Sequence, residues 1–117
     1  AASAGVAPRV MGIGPVAAVE RLTARTGRAA ADYDVIEINE AFAAQVLACL
    51  RAWGIADDDR RVNAYGGGIS MGHPLGMSGA RIAGAAARRL AEGGGKTALV
   101  TLCVGVGQGV ALELLAV

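Results

Sequence analysis

Histidine, cysteine and aromatic residues are scarce in this sequence of 117 residues. It has one histidine, two cysteines, one tryptophan, one phenylalanine and two tyrosines. Two cysteines, Cys49 and Cys103, are too few for a disulfide framework or a zinc site. We therefore expect both to be free thiols and expect no metal site.

An excess of one charge sign is also absent, because 11 lysines and arginines nearly balance 10 aspartates and glutamates. No basic segment is interleaved with aromatic residues, so neither nucleic acid nor an anionic membrane surface is expected as a partner. No apolar run approaches the ~20 residues that span a bilayer, and the first residues lack the pattern of a signal peptide. These features predict a cytoplasmic protein.

Small and apolar residues dominate instead, with 54% hydrophobic residues and 18 glycines. This composition predicts one domain over residues 1–117, in which helices pack closely on a sheet. The first stretch, AASAGVAPRVMGIGP, is typical of a strand already under way, and it begins without methionine. We therefore expect the chain to be cut from a longer polypeptide.

Hydrophobic periodicity predicts the order strand, helix, strand, helix, loop, helix, strand, strand. The predicted helices begin at Pro15, after Asn39 as N-cap and after Ser78 as N-cap, and end at Gly27, Gly54 and Gly93–Gly95. The predicted strands cover 34–38, 98–104 and 110–115 beside the one at the start. This order indicates an α/β fold with α/β/α layers, a mixed sheet of about five strands and an antiparallel pair at its edge.

The first candidate site is Asn39-Glu40-Ala41-Phe42, at the end of a predicted strand, where ligands tend to bind in α/β sheets. Two interpretations stay open. Asn39 is either a helix N-cap, with Glu40 complementing the helix dipole, or a ligand-binding amide. Phe42 by itself indicates a core position on the second helix, with Val46 in the same apolar stripe.

The second candidate is His73, the only histidine, in a glycine-rich loop ahead of the third helix. A lone histidine is often structural, but loops of specified shape often carry function.

The third candidate is Cys103, at the end of a strand predicted to be buried and followed by Gly105, Gly107 and Gly109. Backbone N–H groups at these glycines can bind an oxyanion beside the thiol, whereas a buried inert cysteine is the alternative. The glycine spacing does not indicate a dinucleotide site, because a strand follows rather than a helix.

Three segments together resemble the C-terminal signatures of thiolases: NEAF at 39–42, GGGISMGHPLGMSGAR at 66–81 and CVGVGQG at 103–109. Their order and separation match the family, and the resemblance covers nearly the whole chain. Within the family, the sequence looks most like 3-oxoadipyl-CoA and acetoacetyl-CoA thiolases. The resemblance implies an acyltransferase of the thiolase fold that converts acyl-CoA and acetyl-CoA to 3-oxoacyl-CoA and CoA, or the reverse.

The resemblance also implies a role for each matching residue. Cys103 is expected to be the acid/base thiol. His73, with a water held by Asn39, is expected to bind the thioester enolate oxygen, and the N–H of Gly105 to complete a second oxyanion hole. Ala41 and Phe42 are expected to line the pantetheine path, and Glu40 is expected to be structural.

Tyr65 and Gly68 depart from the family, where Asn and Ala are common, and Tyr65 is expected to reshape the substrate side of the loop. The nucleophilic cysteine of thiolases lies in their N-terminal half, and neither cysteine here matches its motif. The resemblance thus implies a C-terminal domain that is inactive alone and acts with an N-terminal half. It implies CoA thioesters as substrates, no metal or redox cofactor, and a homodimer or homotetramer.

Two alternatives stay open. The first is a free-standing thiolase-like domain that binds acyl-CoA or a partner without catalysis, against which the intact Asn39, His73 and Cys103 argue. The second is a condensing enzyme of the ketosynthase type, which shares the fold but uses two histidines. This chain has one histidine and a cysteine in those places.

Overall fold

The computed structural model describes all residues 1–117 and contains four strands and four α-helices. The strands are β1 (Ala2–Gly5), β2 (Val35–Ile38), β3 (Thr97–Val104) and β4 (Gln108–Leu115). The α-helices are α1 (Gly14–Thr26), α2 (Ala43–Ala52), α3 (Gly68–Met71) and α4 (Leu75–Ala91). Two short 3-10 helices, Pro8–Ile13 and Ala30–Asp32, complete the elements. None of the helices combines the length and the apolar character needed to cross a membrane.

The four strands form one mixed sheet in the order β1-β4-β3-β2. β2 pairs with β3 in parallel, while β3 with β4 and β1 with β4 are antiparallel. The α/β prediction is confirmed, but the sheet has four strands rather than about five. The β3–β4 pair also lies in the centre instead of at an edge, because β1 and β2 cover its two sides.

Helices cover both faces of the sheet, which confirms the predicted α/β/α layers. α1 and α2 pack on one face, where Leu22, Cys49, Leu50 and Leu99 belong to the larger apolar core. α4 packs on the other face, where a smaller core is built around Ile82 and other apolar residues of α4, β2 and β3. The alternation of side chains along β2 and β3 supplies both cores from the same strands.

Predicted helix ends agree with the structure where a glycine adopts a left-handed conformation. α1 ends at Gly27 with φ of 76°, and Gly93 with φ of 86° follows α4 closely. The two predicted N-caps are wrong. α2 begins at Ala43, after Asn39, and α4 begins at Leu75, so that Ser78 lies inside its first turn.

An ion pair between Glu37 and Arg89 is buried between β2 and α4. The Nη1 atom of Arg89 lies 3.5 Å from Oε1 of Glu37 and donates at 2.8 Å to the carbonyl of Arg61. Arg89 therefore lies on the packed face of α4 despite its charge, and it is only 8% exposed. Burial raises the pKa of Glu37, and the nearby Arg89 opposes that shift.

The chain enters α1 by crossing directly over the start of β4. A Cβ atom on Gly109 would lie 2.8 Å from the nitrogen of Pro15 and still closer to the carbonyl of Gly14. Since these are backbone atoms, a side chain at Gly109 can be accommodated only if α1 moves. Gly109 also pairs with Cys103, so this contact fixes α1 against the strand that carries the candidate thiol.

We predict that Gly109→Ala lowers the free energy of unfolding by roughly 1–3 kcal/mol, because it overpacks backbone against backbone. The matched control is Gly84→Ala, at an exposed position of α4 with open space around it. That change should raise the free energy by about 1 kcal/mol through helix propensity. Urea denaturation of the two variants measures both effects, and equal stabilities would contradict the close approach at Gly109.

Candidate active site

The three candidate segments end at the same edge of the sheet. β2 and β3 are parallel neighbours, with Ile38 opposite Thr101, and the N–H of Asn39 donates to the Thr101 carbonyl at 3.0 Å. Asn39 follows the carboxyl end of β2, and Cys103 lies near the carboxyl end of β3. Parallel pairing alone therefore places the amide and the thiol at one edge.

His73 joins this edge from the loop before α4. Its Nε2 atom lies 3.4 Å from Nδ2 of Asn39, and its Nδ1 atom lies 2.7 Å from Oγ of Ser78. Asn39 is only 1% exposed, whereas His73 is half-buried. The structure thus brings Asn39 and His73 into direct contact. Both nitrogen atoms of the imidazole ring contact protein atoms, while the ring remains partly exposed.

Cys103 lies near the carboxyl end of β3, at the same edge of the sheet, and makes no side-chain hydrogen bond to Asn39 or His73. It alternates with Leu99 and Thr101 along β3, so it faces the side of the sheet that α1 and α2 cover. Burial raises the pKa of the Cys103 thiol above its ordinary value, and a backbone hydrogen bond opposes the shift. At neutral pH the group is a neutral thiol, which is the form that can donate a proton.

The turn after Cys103 keeps a backbone group exposed. Gly105 has φ of 59° and no atom within 4 Å of the position a side chain would take. Its neighbours Val104 and Val106 are exposed, so the turn presents main-chain groups and apolar side chains to the outside. An N–H group in such a turn can donate to a bound anion.

Glu40 holds the glycine-rich loop to the sheet. Its two carboxylate oxygens accept hydrogen bonds from Nδ2 of Asn63 at 2.8 Å and from the N–H of Ile69 at 2.9 Å. The Asn63 side chain also bonds both the N–H and the carbonyl of Ile38, each at 2.9 Å. This network supports the structural interpretation of Glu40, while the alternative role at the start of a helix fails because α2 begins at Ala43.

Phe42 is 61% exposed at the N-cap position of α2, so its assignment to the core is wrong. Ala41 beside it is half-buried. The physical reason is that the chain bends at Ala41, is extended at Phe42 and becomes helical only at Ala43. Both residues therefore lie on the accessible side of the Asn39 segment, where a ligand can contact them.

Cys49 and Tyr65 do not belong to the site. Cys49 is a free thiol that is fully buried in α2, and burial raises its pKa to about 11. The Tyr65 hydroxyl donates to Glu92 at the far end of α4 from His73, and its ring lies under Arg89. The expectation that Tyr65 shapes the substrate side of the loop is not supported by this placement.

Sequence reasoning missed the contact between Ser78 and His73. Ser78 had been assigned to a helix cap, yet its hydroxyl contacts the imidazole from the first turn of α4. The signal was a serine five residues after the histidine, with a proline between them that starts the helix.

A groove of about 650 Å³ beside α2 contains Glu40, Asn63 and Ile69, but none of Asn39, His73 and Cys103 lines it.

Comparison with known proteins gives consistent matches. A family model described as "Thiolase, C-terminal domain" matches residues 1–116. The beta-ketoadipyl-CoA thiolase of Pseudomonas knackmussii is 65% identical over 113 residues, which cover 97% of this chain. The 3-oxoadipyl-CoA/3-oxo-5,6-dehydrosuberyl-CoA thiolase of Escherichia coli is 57% identical over the same share. The chain spans about 28% of the length of these relatives.

A solved structure agrees with the sequence matches. The acetyl-CoA acetyltransferase of Bacillus anthracis superimposes with a TM-score of 0.92 and 41% sequence identity. The match covers 99% of this chain and 29% of that protein. The whole described fold therefore corresponds to one part of a longer protein of this type.

We predict that iodoacetamide modifies Cys103 well before Cys49, because Cys103 is half-buried and Cys49 fully buried. The thiolate is the reactive form, so the raised pKa of Cys103 means that its alkylation rate increases as the pH rises above neutral. Peptide mass spectrometry of samples labelled between about pH 6 and pH 10 measures both rates. Maximal labelling of Cys103 already at neutral pH, or equal labelling of the two cysteines, would contradict this electrostatic description.

Proposed function

The chain belongs to the thiolase family as a C-terminal domain, and on this premise we propose that it supplies the acid/base thiol and the enolate-binding groups of an acyl-CoA acyltransferase. The observation that carries the proposal is the contact between Asn39 and His73 at the sheet edge where Cys103 lies near the end of β3. The reaction is the reversible condensation of acyl-CoA and acetyl-CoA to 3-oxoacyl-CoA and CoA. Each of the three residues has a separate task in it.

Cys103 handles the protons. In condensation its thiolate removes the α-proton of acetyl-CoA, and the carbon so formed attacks an acyl group held as a thioester elsewhere in the protein. In thiolysis the direction reverses: the Cys103 thiol protonates the departing acetyl-CoA enolate and the thiolate takes the proton of the attacking CoA thiol. The burial that raises its pKa favours the protonated form, which suits the donor role.

Asn39 and His73 stabilise the enolate. Two nitrogen donors 3.4 Å apart can both reach one oxygen at ordinary hydrogen-bond distances of about 2.9 Å, either directly or through a water held by Asn39. Because Asn39 is buried and His73 is held from behind by Ser78, these donors are fixed before substrate binds. Removing one such preorganised donor typically costs roughly 10²–10³ in kcat.

The neighbouring segments contact the rest of the substrate. The exposed N–H of Gly105 provides a donor for a second oxyanion, on the acylated nucleophile. Ala41 and Phe42 provide an apolar wall for the pantetheine arm of CoA, which fits the exposure of Phe42. The two relatives named for 3-oxoadipyl-CoA support that compound as the substrate, with acetoacetyl-CoA as the alternative.

The acylated nucleophile comes from another segment. Cys49 is buried with a pKa of about 11, and Cys103 already has the acid/base role. Apolar side chains around the site are exposed on four neighbouring segments: Phe42, Ile69, Met71, Leu75, Met77, Val104 and Val106. Such a patch favours coverage by an N-terminal half that carries the nucleophile, in an enzyme that forms homodimers or homotetramers.

We expect Cys103→Ser in the full-length polypeptide to lower kcat for thiolysis of acetoacetyl-CoA and 3-oxoadipyl-CoA by roughly 10²–10⁴, the range for losing a general acid/base. Cys49→Ala is the control, because it removes the other thiol from the core and should leave kcat nearly unchanged. Absorbance of the 3-oxoacyl-CoA enolate measures the rates. Undiminished thiolysis by Cys103→Ser would contradict the acid/base role of Cys103.

The 117-residue chain alone should show no thiolysis, because it lacks a second reactive cysteine. Adding the nucleophile-bearing half as a separate polypeptide should restore activity in proportion to the complex formed. Titration of one half against the other, followed by enzyme rate and by size-exclusion chromatography, measures this. Turnover by the chain alone would contradict the proposed division of residues.

A further inference from the structure

Ser78 is a buried hydroxyl group directly behind the candidate oxyanion donor. It is 0% exposed, and its Oγ atom lies 2.7 Å from Nδ1 of His73 and 3.1 Å from the carbonyl of Pro74. It lies one turn into α4, so its position is fixed by the helix. No other side chain contacts the ring nitrogen that faces away from Asn39.

The single proton of Ser78 can go to only one of these two acceptors. The Pro74 carbonyl already accepts hydrogen bonds from the N–H of Met77 at 2.9 Å and from the N–H of Ser78 at 3.1 Å. The two lone pairs of this oxygen are therefore occupied, whereas Nδ1 of His73 lies closer to Oγ and has no other partner. Donation from Oγ to Nδ1 therefore satisfies both groups, whereas donation from Oγ to the Pro74 carbonyl would give that oxygen a third donor and leave the proton of the imidazole on Nδ1.

A neutral imidazole that accepts at Nδ1 carries its proton on Nε2. On Nε2 this proton lies on the side of the ring that faces Nδ2 of Asn39, so both nitrogen atoms can donate to an oxygen placed between them.

We propose that Ser78 is a positioning residue that holds His73 in the tautomer with the proton on Nε2. The proposal rests on the proposed function, in which Nε2–H is the group that donates to the enolate oxygen. Without the hydroxyl, the proton is free to occupy Nδ1, and Nε2 then presents a lone pair that repels an oxyanion. Ser78 thus acts on the reaction only through His73.

The tautomer can be observed directly because His73 is the only histidine of the chain. In the tag-free chain labelled with ¹⁵N-histidine, long-range ¹H–¹⁵N spectra above about pH 7.5, where an ordinary imidazole is neutral, identify the protonated nitrogen. The expected result is a single species with the proton on Nε2. A wild-type spectrum with the proton on Nδ1 overturns the proposal without any variant and independently of enzyme activity.

Variants then test the role of the hydroxyl. Ser78→Ala should give a mixture of tautomers, while Ser78→Thr, which keeps a hydroxyl, should retain the Nε2–H form. Ser70→Ala is the matched control, because Ser70 lies in the neighbouring helix α3 and its hydroxyl donates to the Gly67 carbonyl instead of contacting His73. An unchanged imidazole spectrum in folded Ser78→Ala overturns the proposal.

The full-length polypeptide adds a kinetic test. Ser78→Ala should lower kcat by roughly 10-fold or more, less than the 10²–10³ for removing an oxyanion donor, with KM nearly unchanged. Ser78→Thr should recover most of the rate, and Ser70→Ala should behave as wild type. If Cys103→Ser leaves thiolysis intact while the Nε2–H tautomer is observed, the proposed function fails and the role of Ser78 in the tautomer stands.

Discussion

The parallel pairing of β2 with β3 is the constraint on which the site depends. It aligns Ile38 with Thr101 and carries on one residue further, where the Asn39 N–H bonds the Thr101 carbonyl. Both strands therefore deliver a functional residue to the same edge, Asn39 from one and Cys103 from the other. A shift of one residue in this register would turn the side chains of one strand to the opposite face of the sheet and change which residues meet at this edge.

The loop that carries His73 depends on this sheet edge in turn. The Asn63 side chain forms hydrogen bonds with the backbone of Ile38. The Glu40 carboxylate accepts hydrogen bonds from the Asn63 amide and from the N–H of Ile69. The strand end thus serves as the support for the loop, and α4 then supports His73 from the other side through Ser78. The imidazole is held between a strand and a helix that are each anchored in an apolar core.

Local features of the fold were readable from the sequence. Gly27 follows the end of α1 because glycine adopts the left-handed conformation more readily than other residues. The apolar run at 98–104 forms a strand because helices cover both faces of the sheet there. Sheet order and strand pairing were not readable in the same way, since they depend on contacts far apart in the chain. The three motifs indicated a candidate site only through their joint resemblance to the thiolase family, because no single motif determines how distant segments meet.

The errors also have a physical cause. Asn39 and Ser78 are residue types that often form N-caps, but both are buried and their side chains contact His73 instead. In both cases a contact with His73, rather than the start of a helix, determines the position of the polar side chain. The burial of Arg89 has a similar cause, because Glu37 of β2 provides a partner for its charge.

The most direct test of the account is a crystal structure of the full-length polypeptide with acetyl-CoA bound. We expect the thioester oxygen within about 3.2 Å of Nε2 of His73, and the acetyl methyl carbon in contact with Sγ of Cys103. Both distances follow from the sheet edge that joins Asn39 and Cys103. Acetyl-CoA bound with its thioester away from this edge, for example in the groove beside α2, would contradict the account.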